Sequence, residues 1–230
     1  MEVNRILMTI SLRRLILCGV VSGAIFLSAC AVGGVSGPDP CNEDGTLLND
    51  EFDETKDCGW TLYDRSSAKA EVVEGFLRLS TSEPGQIWWT NAQRNFDDVI
   101  MTAQARQLSG PDDNAYGLIC RYQSPENFYL FLISGDGYYA IGKFLSTDDQ
   151  IQYLTGDGQY VFSDAINQGE AANDIRASCI GNELSLAVNG IPLATINDPT
   201  FVTGDVGIGA STFQPGTAII DFDSIRVIAP

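Results

Sequence analysis

Along the pattern of hydrophobic and polar positions, the stretch that organises the chain is 114–144, NAYGLICRYQSPENFYLFLISGDGYYAIGKF, where apolar runs are dense and broken by short polar turns. Aromatic and β-favouring residues fill 116–122, 128–133 and 138–144. Two turn sequences, Ser124-Pro125-Glu126-Asn127 and Ser134-Gly135-Asp136-Gly137, separate them, which predicts a three-strand antiparallel meander. The apolar density exceeds what one buried face requires. At least one strand must therefore be covered on both faces, by a second sheet or by a bound ligand.

The same reading extends along the chain. Segments 174–180, 183–188 and 191–196 form a second meander, turned by Gly181-Asn182 and Asn189-Gly190. Further strands are expected over 47–53, 70–80, 85–90, 97–108, 204–210 and 217–227, with an edge strand around Ile151, Tyr153 and Leu154. Segment 163–173 reads as a loop with at most one helical turn, and no helix of any length is expected. A dozen or so short strands with regular turns imply an all-β, antiparallel two-sheet sandwich.

The ends of the chain follow a different logic. Arg5, Arg13 and Arg14 precede an apolar stretch over 15–27, which reads as a signal peptide over 1–29 rather than a membrane span. Leu27-Ser28-Ala29-Cys30 resembles the lipobox of bacterial lipoproteins. That resemblance implies a lipidated Cys30, a membrane contact through the N-terminal lipid and an extracytoplasmic place in the cell envelope. Residues 30–46, rich in Gly, Pro and small residues, read as a flexible tether, and 47–230 as the sandwich domain.

Composition narrows the chemistry. With 13 basic and 30 acidic residues the net charge is −17, which repels nucleic acid and anionic headgroups. The chain has no histidine. That removes serine-type triads, His-ligated metals and His general bases. Acidic loops leave a structural Ca²⁺ open; no other cofactor is expected. Of six cysteines, Cys18 falls in the leader and Cys30 at its end. Cys41, Cys58, Cys120 and Cys179 permit three pairings. Cys120 and Cys179 sit in predicted strands and Cys41 and Cys58 bracket the start of the domain, so Cys120–Cys179 and Cys41–Cys58 are expected. A zinc site is the rival, disfavoured because no CxxC pair occurs.

Several motifs resemble bacterial domains of the concanavalin A-like lectin/glucanase superfamily, a laminin G-like jelly roll. They are Asp50-Glu51-Phe52 with Gly59-Trp60, 117–122 with Asn127-Phe128-Tyr129, the Asn189-Gly190 hairpin, 204–208 and 221–227. The resemblance spans 47–227. It implies that one sheet bends into a concave face that often holds sugars, while saying little about function.

For catalysis, acidic residues at alternate positions on one strand would be needed. No E-x-D-x-E pattern exists, and Asp221-Phe222-Asp223 lacks the third carboxylate. A non-enzymatic carbohydrate-binding module is the reading, with candidate residues Trp88, Arg121, Tyr129, Tyr139 and Lys143. Ile87 shares a face with Trp89, which leaves Trp88 as the outward ring. Arg121 faces away from Cys120, and Lys143 marks the wet side of the face carrying Tyr139 and Ile141; Tyr129 is assigned to the same surface. A structural or protein-interaction module of the envelope and a glycoside hydrolase are the alternatives.

Overall fold

The computed structural model describes residues 39–42, 45–148 and 150–230; the expected leader and Cys30 lie outside the described residues. In chain order the first eight strands are Leu48–Asp50 (β1), Tyr63–Asp64 (β2), Ala68–Val73 (β3), Phe76–Thr81 (β4), Ile87–Asn91 (β5), Val99–Ser109 (β6), Asn114–Ser124 (β7) and Asn127–Ile133 (β8). The rest are Tyr138–Phe144 (β9), Gln152–Tyr153 (β10), Val161–Phe162 (β11), Asn173–Ile180 (β12), Glu183–Val188 (β13), Ile191–Asn197 (β14), Asp205–Thr212 (β15) and Ala218–Ile228 (β16). No helix occurs among the described residues.

The strands form two antiparallel sheets. One runs β14-β13-β12-β6-β16-β4-β3-β2, with β1 added along β16; the other runs β10-β9-β8-β7-β15-β5, with β11 added along β9. Both meanders appear as read, and the central strands of the smaller sheet are buried on both faces. Tyr116, Leu118, Cys120, Tyr129, Phe131 and Ile133 join the core between the sheets. The alternate positions Ala115, Ile119, Phe128, Leu130 and Leu132 form a second apolar cluster on the opposite, outer face. Alternation along a strand sends neighbours to opposite faces, so one backbone serves both cores.

Disulfides join Cys41 to Cys58 and Cys120 to Cys179. The second links β7 to β12 and so crosses from one sheet to the other. The first corrects the reading of 30–46 as tether throughout. Cys41 is buried, Asn49 donates to its carbonyl at 2.8 Å, and Asp39 pairs with Arg94 at 2.5 Å. Residues 39–42 therefore pack with the sandwich, ahead of the boundary expected at 47. At the end of β1, buried Asp50 accepts from the Phe52 amide (2.9 Å) and the Trp60 indole (2.8 Å), which fixes both core rings.

The Cys120–Cys179 bond closes a chain segment with a sequence separation of 59. Replacing both cysteines by Ala is expected to cost about 2–5 kcal/mol, read as a lower urea midpoint with a steeper slope, because the unlinked unfolded chain exposes more surface. A loss below about 1 kcal/mol would show that the sheets hold their spacing without the bond.

Candidate functional site

The five candidate residues do not converge on an outer face. Arg121 sits at an irregularity of β7. Its register shifts against β8 between Cys120 and Ser124, and against β15 between Asp205 and Gly207. Arg121 itself has φ 52°. A one-residue slip exchanges the faces of everything after it. The expected wet-side arginine is therefore 1 % exposed; its Nη1 donates to the Phe201 carbonyl at 2.6 Å and its Nη2 to Asp98 Oδ1 at 3.1 Å. Asp98 also accepts from the Gly181 amide at 2.9 Å. The ion pair thus ties β7 to the turn after β12.

Tyr129, Tyr139 and Lys143 face the other sheet as well. Tyr129 is buried, and its hydroxyl donates to Asp198 Oδ1 at 2.6 Å while accepting from the Phe201 amide at 3.1 Å. Lys143 Nζ reaches Asp198 Oδ2 at 2.7 Å and Thr200 Oγ1 at 2.9 Å. Tyr139 donates to the Leu193 carbonyl at 3.1 Å. Burial alone would raise the Asp198 carboxyl, but bonds from Lys143, Thr200 and Tyr129 hold it well below the ordinary carboxylate range. These side chains are struts from the small sheet to β14 and the segment that follows it. A lysine marks the wet face only when no carboxylate meets it, and here the partner lies 55 residues away in sequence.

Trp88 is the partial exception. It faces inward at the open edge of the sandwich, 6.1 Å from the Tyr63 ring, with the Arg65 guanidinium 5.6 Å from its own ring. Its indole nitrogen is buried and has no hydrogen-bond partner among the described residues. The outward ring is Trp89, which packs with Ile87 on the second apolar cluster.

Around Trp89 the outer face carries a continuous row of rings. Trp89 lies 5.2 Å from Phe128 and 6.2 Å from Tyr122; Phe128 lies 5.6 Å from Tyr122 and 5.9 Å from Phe144. The row spans five strands, its rings coming from β5, β7, β8 and β9 with β15 lying between β5 and β7. Tyr122 reaches it because of the same irregularity that buries Arg121. Phe128 is buried at the centre, and the other three rings are half-buried.

Two adjoining hollows follow this row. One, of about 520 Å³, wraps the edge strand β5 and is walled by Trp88, Trp89, Tyr122, Gln86, Asn91 and Arg65. The other, of about 400 Å³, continues over Phe128 and Phe144 to Gln150 and Ile151. Gly142 makes room for that wall, since a Cβ there would stand 2.9 Å from the Ile151 side chain. Apolar ring faces with amide and guanidinium groups at the rim suit a polyhydroxylated ligand.

Asp205 is the one carboxyl lining either hollow. Burial pushes it up to about 6, against the bond it accepts from the Val206 amide. Two-carboxylate glycoside chemistry needs a second acid about 5–9 Å away. Asp221, from the nearest acidic spacing in the sequence, is buried and paired with Arg78 at 2.6 Å. Among the described residues no group of three or more metal-ligating side chains converges.

Comparison with known proteins finds no matching family description and no curated protein of similar sequence. Solved structures do match. A carbohydrate binding module, CBM66 from Bacillus subtilis, superposes with TM-score 0.59 at 13 % identity over 74 % of this chain and 96 % of its own. A GH43 protein, BlXynB from Bacillus licheniformis, gives 0.60 at 18 % over 82 % of this chain and 40 % of its own. A Bacillus licheniformis β-glucanase gives 0.58 at 9 % over 82 % and 100 %. At these identities the likeness defines the fold, a concanavalin A-like jelly roll.

Asp205 also sets a pH dependence. Its folded value near 6 lies above the ordinary 3.8, so the folded chain binds more protons than the unfolded chain between those values. Stability is therefore expected to fall as pH rises from about 4 to about 6 through this group and to level off above. Urea unfolding of Asp205→Asn against the parent should show that decline removed; parallel curves would place the Asp205 carboxyl at an ordinary value.

Proposed function

We propose that the chain is a non-catalytic, lipid-anchored extracytoplasmic binding module whose ring-lined groove on the outer face of the small sheet holds carbohydrate. The observation that carries this reading is the contiguous row in which Trp89, Tyr122 and Phe144, each half-buried, surround the buried Phe128, with Gln86 and Arg65 lining the same hollow. Sugar C–H faces stack on such rings, while hydroxyls bond to planar polar side chains. That one neighbour's name describes a carbohydrate binding module supports the ligand class at the level of fold. The lone carboxyl of the groove favours binding over hydrolysis.

The ligand-contacting residues in this reading are Trp89, Tyr122 and Phe144, with Trp88 at the margin. Arg121, Tyr129, Tyr139 and Lys143 act on the groove only by holding the sheet. The lipidated Cys30 and its tether place the domain at a membrane surface, with the acidic sandwich held off anionic headgroups.

A glycan array probed with the purified chain, followed by titration of the best glycan, tests the groove. Trp89→Ala and Tyr122→Ala are each expected to weaken binding about tenfold or more. Affinity unchanged in both variants would place any sugar site elsewhere. For the anchor, detergent-phase partition of the whole chain expressed in bacteria should move to the aqueous phase in Cys30→Ala; equal partition would remove the lipid.

A further inference from the structure

A third hollow, of about 410 Å³, opens at the far end of the small sheet, where β7 begins and the β8–β9 turn closes. Its walls are Tyr138, Tyr153, Tyr160 and Phe213, with the carboxylates of Asp113 and Asp136. The rings are set at steep angles to one another. Tyr153 and Tyr160 have centroids 4.9 Å apart at 60°, and Tyr160 and Phe213 are 6.0 Å apart at 76°. Tyr138 and Phe213 are 39 % and 38 % exposed, two large rings that the fold leaves uncovered at the rim.

The charges are held in place. Asp136 accepts from the Ser134 hydroxyl within its own turn. Asp113 accepts from Gln214 Nε2 at 3.1 Å, and its carbonyl takes the Phe213 amide at 3.0 Å. No Lys or Arg lines the hollow, so neither carboxylate meets a cation within it. Asn114 cannot serve a ligand freely, since its amide is committed to Gln107, Pro111 and Gly135.

Ring faces carry negative quadrupole charge and carboxylates carry a full one, so all six walls favour the same sign of guest. A bare divalent ion is a poor fit: it requires six to eight oxygen ligands, and here most of the wall is carbon. We propose that this hollow is an aromatic cage for a small organic cation of the substituted-ammonium class, with Tyr138, Tyr153, Tyr160 and Phe213 against its alkyl groups and Asp113 and Asp136 supplying the counter-charge. Burial, followed by the neighbouring Tyr153, Asp136 and Asp113, pushes the Tyr160 hydroxyl well above its ordinary value. The Tyr160 ring is thereby kept a neutral phenol. The site shares only Tyr153 with the wall of the neighbouring groove and stands whether or not that groove binds carbohydrate.

The test is a titration of the whole chain with choline chloride, followed by NMR of its tyrosine ring resonances, beside 3,3-dimethylbutan-1-ol, the uncharged compound of the same shape. Choline is expected to bind about tenfold or more tightly than the alcohol at matched ionic strength. Phe213→Ala and Tyr138→Ala, both at exposed rings, should each weaken choline about fivefold, and Asp113→Asn should narrow its advantage over the alcohol. Equal binding of the two compounds overturns the cage. So does choline binding that survives both ring variants unchanged, which would assign it to the acidic surface at large, and so does an absence of choline binding.

Discussion

Strands β7 and β8 bury side chains on both faces at once, and most of the molecule is arranged to satisfy that demand. Toward the larger sheet they present Tyr116, Leu118, Phe131 and Ile133; away from it they present Ile119, Phe128, Leu130 and Leu132. Each such side chain contributes about 1.5–3 kcal/mol when removed from water. Neither face can be left wet. The second sheet covers the first face, and the ring row with the segment around Ile151 and Tyr160 covers the second. The rings of the groove are thus lid and floor together: they shield the aliphatic layer beneath and offer their own outer faces to a ligand.

Charge is handled by pairing rather than exclusion. Arg121 with Asp98, Lys143 with Asp198, and Arg78 with Asp221 each close a contact between segments distant in sequence. A buried cation costs several kcal/mol unless its partners are complete. Guanidinium and ammonium groups here meet a carboxylate and, in two cases, a further oxygen from the 200–201 segment. That segment therefore receives struts from β7, β8 and β9, which fixes the end of the small sheet opposite the proposed cage.

Strand positions and fold class could be read directly, because a two-residue period with hairpin turns is a local signal. Both meanders, the edge strand near Tyr153 and the need to cover two faces came from residues adjacent in the chain. Which face was which could not be settled locally. Alternation from Cys120 assigns Arg121 outward and Tyr122 inward, and the irregularity between 120 and 124 reverses both. Nothing in Gly-Leu-Ile-Cys-Arg-Tyr announces an extra residue, since its cause is the pairing of β7 with β8 and β15 together. Trp89 was hidden differently. Ile87 on its face looked like a core neighbour, and is one, but of the second apolar layer rather than the first. Lys143 looked wet because Asp198 is far away in sequence.

The Cys41–Cys58 bond lies across the start of the domain and encloses β1, the short strand laid along β16. A pull on the chain ahead of Cys41 is carried through sulfur to Cys58 and leaves β1 out of the loaded path. Peeling strands from the end of a sheet breaks hydrogen bonds one after another and needs little force. Here that zipper is short-circuited, and tension enters the sandwich next to Trp60, whose indole is pinned to Asp50. If the N-terminal side carries the proposed anchor, the domain would in this way bear shear without first losing its outermost strand.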